Sequence, residues 1–185
     1  MKKITFLRLI TFLVLLFAKT TVIGQNTNLL QKKGLNIVEL FEGDFQNTSK
    51  INAKSSSYGK SSTDIKEGFF SLKKNLKPTI YIENNRIKKV SGDTAPLILK
   101  YENSYSLEIL NENNSLIKEV ELITIKLKSQ NELNNRFDIS KIRGFNNLKY
   151  IYIQCNFKCT SNQISSFILN VDPKVAIFYM VNNPS

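Results

Sequence analysis

The sequence predicts an α+β domain in which antiparallel β-hairpins are followed by a βαβαβ section. Between residues 79 and 109, apolar and polar side chains alternate in short segments separated by Asn-containing turns, which is typical of half-exposed antiparallel strands. After residue 121, three apolar strand-like segments are separated by helix-start signals. That order favours parallel strands joined by helical crossovers.

Residues 1–24 are typical of a secretory signal peptide. Lysines precede an apolar core from Leu9 to Ala18, and Val22 and Gly24 fit the residues before a cleavage site. An uncleaved membrane anchor is the alternative, but a spanning helix needs about 20 apolar residues and this core has about half as many. We therefore expect a secreted or periplasmic/cell-envelope protein with no stable membrane span after cleavage.

Residues 25–67 are predicted to be an N-terminal segment that contains a mobile loop, and residues 68–185 to be the α+β domain. Residues 46–67 are rich in Ser and Lys. Such a composition buries too little apolar surface to offset the entropy lost on ordering. Residues 26–42 are partly apolar but are interrupted by glycine, so helix and strand both stay open there.

Two hairpins are predicted in the middle of the chain. The first pairs Thr79–Ile82 with Ile87–Val90 through an Asn84-Asn85 turn, because Asn tolerates the positive φ that a tight turn requires. The second pairs Leu97–Tyr101 with Tyr105–Ile109.

The last third is predicted to hold the parallel section. Its predicted elements are a strand at Leu122–Leu127, a helix from Asp138 to Gly144, a strand at Leu148–Ile153, a helix after Thr160 and a strand at Val175–Met180. Thr160 and Gln163 match the capping-box pattern, which places a helix start there.

A regular spacing relates Ile125, Ile151 and Ile177, which are equally far apart along the chain. The segment Leu148-x-x-Ile151-x-Ile153 resembles the core of leucine-rich repeats, in which each repeat is a strand plus a short helix. That resemblance implies a concave strand face that binds another protein. The alternative, which we favour, is an ordinary βαβ unit with similar loop lengths. The block Phe145–Ser185 also resembles the ending of uncharacterised small exported bacterial proteins, which implies no function.

The composition excludes several catalytic chemistries. The chain has no His and no Trp, so Ser-His-Asp and Cys-His catalysis are excluded and the commonest zinc ligand is missing. Carboxylates are the remaining acid–base groups, in the segment 39–44 and at Glu119 and Glu121, and we expect them to be solvated. The sequence therefore predicts no enzyme activity, no cofactor and no metal site.

Cys155 and Cys159 are predicted to form a disulfide, because an even number of cysteines in an exported chain is typical of one. Their C-x3-C spacing differs from the C-x2-C of thioredoxin-like redox motifs. The loop is short, so the bond is expected to hold a strand-to-helix corner rather than to add much global stability. Free thiols, and redox or metal chemistry, are the alternatives.

Basic residues suggest an anion-binding region. The net charge is +11, and loss of the four basic residues of the signal segment lowers it to +7. A moderate positive field attracts polyanions, which for an exported protein means lipid headgroups or acidic glycans rather than nucleic acid. The candidate anion-binding residues are Lys66, Lys73, Lys74, Lys77, Arg86, Lys88 and Lys89. A solvated hairpin edge is the alternative, because edge lysines discourage aggregation.

Thr94, in Asp93-Thr94-Ala95, resembles the O-glycosylation acceptor of some exported Gram-negative proteins.

Together these features predict an exported, non-enzymatic binding protein of the cell envelope or medium, whose partner is another protein or an envelope component. The alternatives are a polyanion or membrane-surface binder through residues 66–89 and a carboxylate-dependent hydrolase. The sequence identifies neither the ligand nor the oligomeric state.

Overall fold

The computed structural model of the chain describes residues 36–46, 62–110, 115–142 and 144–182. These residues form a mixed seven-stranded sheet, a two-stranded sheet and three α-helices, so the predicted α+β class is confirmed. The predicted signal segment, residues 1–24, and residues 47–61 of the predicted loop lie outside the described residues.

The strands are β1 (Ile37–Glu39), β2 (Thr79–Glu83), β3 (Arg86–Ser91), β4 (Ile98–Tyr101), β5 (Leu122–Leu127), β6 (Phe137–Asp138), β7 (Tyr150–Cys155), β8 (Ile168–Leu169) and β9 (Ala176–Val181). The α-helices are α1 (Glu42–Gln46), α2 (Ser62–Lys74) and α3 (Ser161–Phe167). The described 3₁₀ helices are Ser104–Leu110, Ser115–Ile117, Gln130–Asn134 and Ile139–Lys141.

The large sheet has the strand order β1-β9-β7-β5-β4-β2-β3. Only the β2–β3 pair is antiparallel among its described strands. Five of these strands follow one another across the sheet in the order in which they occur along the chain: β2, β4, β5, β7 and β9. The parallel section therefore begins at β2, earlier than the sequence predicts.

The turn between β2 and β3 lies at Asn84 and Asn85, where the sequence places it. Their φ angles are 52° and 55°, in the left-handed region that Asn adopts more readily than most residues. The second predicted hairpin is wrong, because Ser104–Leu110 forms a 3₁₀ helix instead of a strand. Asn103 Oδ1 accepts hydrogen bonds from the Tyr105 backbone N (3.1 Å) and from Ser106 Oγ (3.1 Å), and such local bonds favour turns over strands.

The predicted helix from Asp138 to Gly144 is also wrong. The chain is extended at Phe137–Asp138, where β6 pairs with β8, and only the 3₁₀ turn Ile139–Lys141 follows. The Asp138 side chain caps that turn by accepting a hydrogen bond from the Ser140 backbone N (3.1 Å). The predicted cap at Asp138 is therefore confirmed, but the turn ends at Ile142, whose backbone is extended, so no α-helix follows.

Helix α2 corrects the predicted mobile loop, because residues 62–67 are helical. The apolar side chains Ile65, Phe69 and Leu72 recur at helical spacing and pack toward the sheet. Burial of this face stabilises a helix whose Ser/Lys-rich start resembles a loop in composition.

Helix α3 starts as predicted. Thr160 Oγ1 accepts a hydrogen bond from the Gln163 backbone N (3.4 Å), and Gln163 Oε1 accepts one from the Thr160 backbone N (2.9 Å). This capping box satisfies amide groups that a helix start leaves free. Ile164 and Phe167 are buried against the sheet.

The regular isoleucine spacing along the chain matches the register of one pair of described strands, β7 and β9, but not that of β5 and β7. Ile151 lies directly opposite Ile177 in the β7–β9 ladder, as a repeat of that length requires. Ile125, however, lies opposite Ile153 in the β5–β7 ladder, so it is not the partner of Ile151. The length of chain between register partners therefore differs from one pair of strands to the next.

Both faces of the large sheet carry buried apolar side chains. One face, here called the α3 face, packs against α3 and the 3₁₀ segments. The opposite face, here called the α2 face, packs against α1 and α2. Alternation along each strand sends successive side chains to the two faces.

Tyr101 on the α3 face carries the one buried side-chain polar atom without a hydrogen-bond partner among the described residues, its hydroxyl. Burial raises the pKa of this phenol. We expect Tyr101→Phe to leave the free energy of unfolding unchanged or to raise it by about 1 kcal/mol, because it removes an unsatisfied buried group. The measurement is urea-induced unfolding.

Tyr179→Phe is the matched control, because the Tyr179 hydroxyl donates a hydrogen bond to Glu39 Oε2 (2.8 Å). Its loss is expected to lower the free energy of unfolding by about 1 kcal/mol. A similar loss in Tyr101→Phe would contradict the assignment of an unsatisfied hydroxyl.

Candidate functional site

Strand register places a row of side chains across five strands on the α2 face. In order from β2 to β9 the row is Tyr81, Lys100, Thr124, Tyr152 and Phe178. Tyr152 and Phe178 belong to the aromatic cluster beneath α2, whereas Tyr81 and Lys100 are only half-buried. Helix α2 therefore covers one half of the row and leaves the other half accessible.

Phe69 attaches α2 to the covered half. Its ring centroid lies 4.4 Å from that of Phe178 and 5.3 Å from that of Tyr152. Gly68 lets the helix approach the sheet, because a Cβ atom there would collide with the hydroxyl of Tyr150. These contacts fix where the last turn of α2 ends over the sheet.

An open cleft of about 380 Å³ lies where α2 ends. The residues that matter for its chemistry are Leu72, Lys73, Lys77, Tyr81, Ile98 and Lys100. We call this region the cationic cleft, because three lysines and no carboxylate line it among the described residues.

Glu102 lies just beyond the cleft and contacts two lysines. Its Oε1 is 3.3 Å from Lys100 Nζ, and its Oε2 is 2.7 Å from Lys126 Nζ. Burial pushes the pKa of Glu102 upward, but the two lysines together outweigh burial and hold that pKa below its usual value. One carboxylate thus pairs with two ammonium groups, so the region keeps a net positive charge.

Two of the lysines lie over aromatic rings. Lys73 Nζ is 4.9 Å from the centroid of Tyr152, and Lys100 Nζ is 5.4 Å from that of Tyr81. Burial, followed by the positive charges of Lys100 and Lys126, lowers the pKa of Lys73. Within the described residues no carboxylate forms an ion pair with Lys73.

The structure divides the seven basic residues that the sequence singles out. Lys73 and Lys77 line the cationic cleft. Lys66 is 3.7 Å from Asp44 in an ion pair, and Lys74 is exposed in the last turn of α2. These last two do not line the cleft.

The other three, Arg86, Lys88 and Lys89, are exposed on β3, at the edge of the sheet. Lys88 forms an ion pair with Glu83. An exposed, lysine-bearing edge agrees with the alternative in which these charges discourage pairing with another chain.

Sequence reasoning missed Lys100 and Lys126. Both occupy polar positions in otherwise apolar strands, β4 and β5. Alternation along each strand indicates that the lysine side chain lies on the face opposite to that of its buried neighbours. Only the register between the two strands shows that both lysines reach Glu102. Aligning the strand segments in parallel register is the signal that would have found them.

Cys155 ends β7 and Cys159 precedes the Thr160 cap of α3, so the pair does lie at a strand-to-helix corner. Both are buried, unbonded thiols whose Sγ atoms are 2.7 Å apart. The disulfide stays a prediction.

The remaining candidates lie in connections outside the helices and strands. Thr94 is exposed between β3 and β4. Glu119 Oε2 accepts a hydrogen bond from Asn147 Nδ2 (2.7 Å), and Glu121 pairs with Lys149 (2.9 Å). Neither carboxylate lines the cationic cleft.

In the described part of the chain, no group of three or more Cys, Asp or Glu residues is placed to hold a metal ion. Likewise, no helix among residues 36–46, 62–110, 115–142 and 144–182 is long and apolar enough to cross a membrane. No protein-family model matches the chain, and comparison with curated proteins and with solved structures finds no significant match.

Proposed function

We propose that the protein is an exported, non-enzymatic binding protein of the cell envelope or medium, and that the accessible part of the α2 face is its binding surface. The observation that carries the proposal is the half-covered row across the sheet. Tyr81 and Lys100 face outward from a rigid sheet while their neighbours on β7 and β9 are covered by α2. Rigid sheets hold recognition side chains in place at small entropic cost.

The strand order supports a repeat-like binding surface. Parallel strands that follow one another across a sheet in chain order, joined by short helices or 3₁₀ turns, are the arrangement of leucine-rich repeats. Here the register partners across the sheet are Thr79, Ile98, Leu122, Tyr150 and Ala176, which are unequally spaced along the chain. We infer a solenoid-like unit with irregular repeats, a class that binds partners on its strand face.

The second candidate is a polyanion or membrane-surface binder through residues 66–89. The exposed Arg86 and Lys89 on β3 favour it, because they present positive charge at an open edge of the sheet. It differs from the first candidate in requiring Arg86 and Lys89, which lie on the edge strand rather than in the cleft.

Site-specific photo-crosslinking tests the proposed surface. A photo-reactive phenylalanine analogue replaces Tyr81 in the cleft or, as the control, Tyr105, which is 60% exposed on the 3₁₀ helix beyond β4. In cells that make the protein, we expect a discrete crosslinked product from position 81 and none from position 105. Identical product patterns from both positions, or none from position 81, would contradict the proposed surface.

Fractionation of the same cells tests export. The proposal requires the chain in the envelope or the medium, shortened at its N-terminus. Full-length chain confined to the cytoplasm would contradict it.

A further inference from the structure

We infer that the cationic cleft holds a phosphate group between Lys73, Lys77 and Lys100. This inference rests on the proposed function and names the chemistry that the binding surface recognises. A lysine ammonium offers three hydrogen-bond donors and a compact charge, which suits phosphate and carboxylate oxygens.

The charge balance is the first argument. Lys73, Lys77 and Lys100 line the cleft without a carboxylate among its described lining residues. Glu102 is shared by Lys100 and Lys126, so it neutralises one of these two charges at most. A cleft with excess charge of one sign concentrates ions of the opposite sign.

The way the lysines are held is the second argument. Lys73 and Lys100 lie over the rings of Tyr152 and Tyr81. A ring face attracts an ammonium group without cancelling its charge or using all its N–H donors. Both side chains are therefore oriented in advance and keep donors free for a ligand, which lowers the entropic cost of binding.

Mutual repulsion among the lysines is the third argument. The charges of Lys100 and Lys126 contribute, after burial, to the lowered pKa of Lys73. Like charges held close together destabilise the empty site. An anion between them reverses that effect and favours the charged form of Lys73.

The cleft also has room for more than the anionic group. Its volume of about 380 Å³ falls within the range of small-molecule sites. Leu72, the fully exposed Leu76 and Ile98 line it. The geometry therefore suits an anion that carries an apolar substituent, whether a soluble phosphate ester or a lipid headgroup.

The test uses the full mature chain with three probes: inorganic phosphate, phenyl phosphate, and vesicles of neutral lipid with or without an anionic phospholipid. Binding of the soluble probes is followed by NMR of ¹³C-methylated lysines, and vesicle binding by co-sedimentation. We expect phenyl phosphate to bind more tightly than inorganic phosphate and to raise the pKa of Lys73. Binding of phenyl phosphate identifies a soluble ester as sufficient, whereas binding of anionic vesicles alone identifies a lipid source.

Charge-matched variants locate the site. Lys100→Gln and Lys73→Gln are each expected to weaken binding about tenfold or more, since each removes a charge-assisted hydrogen bond. Lys89→Gln on β3 removes the same charge outside the cleft and is expected to change the affinity by less than about twofold, because exposed charges at a distance are screened by salt. Thermal unfolding checks that each variant folds, and Lys77→Gln replaces any that does not.

Two results would overturn the inference. One is the absence of binding by every probe at millimolar concentration, and the other is equal weakening by Lys89→Gln and Lys100→Gln. These results are distinguishable from failure of the proposed function. A crosslink at position 81 together with no binding of any probe would retain the proposed surface and reject the anion site, whereas phenyl phosphate binding without any crosslink would do the reverse.

Discussion

Replacing Phe69 by alanine is expected to lower the free energy of unfolding by about 3–5 kcal/mol, the usual cost of truncating a buried aromatic side chain. Phe69 has no exposed surface. Its ring is 4.4 Å from that of Phe178, 5.3 Å from that of Tyr152 and 5.2 Å from that of Phe70. The truncation leaves a cavity at the centre of the aromatic cluster that holds α2 on the sheet.

The measurement is urea-induced unfolding followed by circular dichroism. Phe41→Ala is the matched control, because Phe41 is 64% exposed and the same truncation there is expected to change stability by less than about 0.5 kcal/mol. Equal losses in the two variants would contradict the assignment of α2 to the core. Phe69→Ala should also weaken ligand binding, because Lys73 on α2 forms one wall of the cationic cleft.

Replacing Glu132 by alanine is expected to lower the free energy of unfolding by about 3 kcal/mol, because it breaks a buried polar connection between two loops, and hydrogen bonds to charged groups contribute about 1.5–3 kcal/mol each. Glu132 is 3% exposed. Its Oε2 accepts a hydrogen bond from the Ser104 backbone N (3.0 Å), and its Oε1 accepts one from the Lys128 backbone N (3.1 Å). Without the carboxylate, both amide groups lose their partner.

Glu132→Gln sharpens this test. Each carboxylate oxygen faces a backbone N–H, so an amide can accept from only one of them and directs its own NH₂ donors at the other. We therefore expect the near-isosteric glutamine to lose most of the stability that alanine loses. Glu119→Ala, at an exposed turn, is the control and should change the free energy of unfolding by less than about 0.5 kcal/mol. A stable Glu132→Gln variant would contradict the two-acceptor role.

The sequence predicted those elements whose signals are local. Leu122–Leu127 is a strand with the predicted bounds, and the Asn84-Asn85 turn and the Thr160 cap lie where their residue types place them. Each depends on the conformational preference of a few neighbouring residues. Such preferences are readable without knowledge of the rest of the chain.

The wrong predictions concern segments whose secondary structure depends in part on contacts with residues distant in the sequence. The segment Tyr105–Ile109 alternates like a strand, but the Glu132 contact to Ser104 and the local bonds of Asn103 hold it in a 3₁₀ helix. Helix α2 was missed because the sheet, rather than helix propensity, stabilises it.

The candidate site was half predicted for the same reason. Lys73 and Lys77 lie within the basic region that composition reveals. Lys100 joins them in the cleft, and Lys126 comes close to Lys100 at Glu102, only through the pairing of β4 with β5, which sets Lys100 opposite Thr124. The distribution of charged residues along the sequence does not predict that strand pairing.

The position of β1 has a consequence for the rate of folding. β1 joins the sheet through β9 alone, and Ile37 pairs with Ile177, so the first and last strands of the described chain are neighbours. Contacts between residues so far apart in sequence slow folding, because a long loop must close before they form. Most of the sheet can therefore assemble around β5 and β7 before this edge closes. We therefore expect β1 to be the last of the described strands to gain a partner, and until it does, the edge of β9 stays open to pairing with another chain.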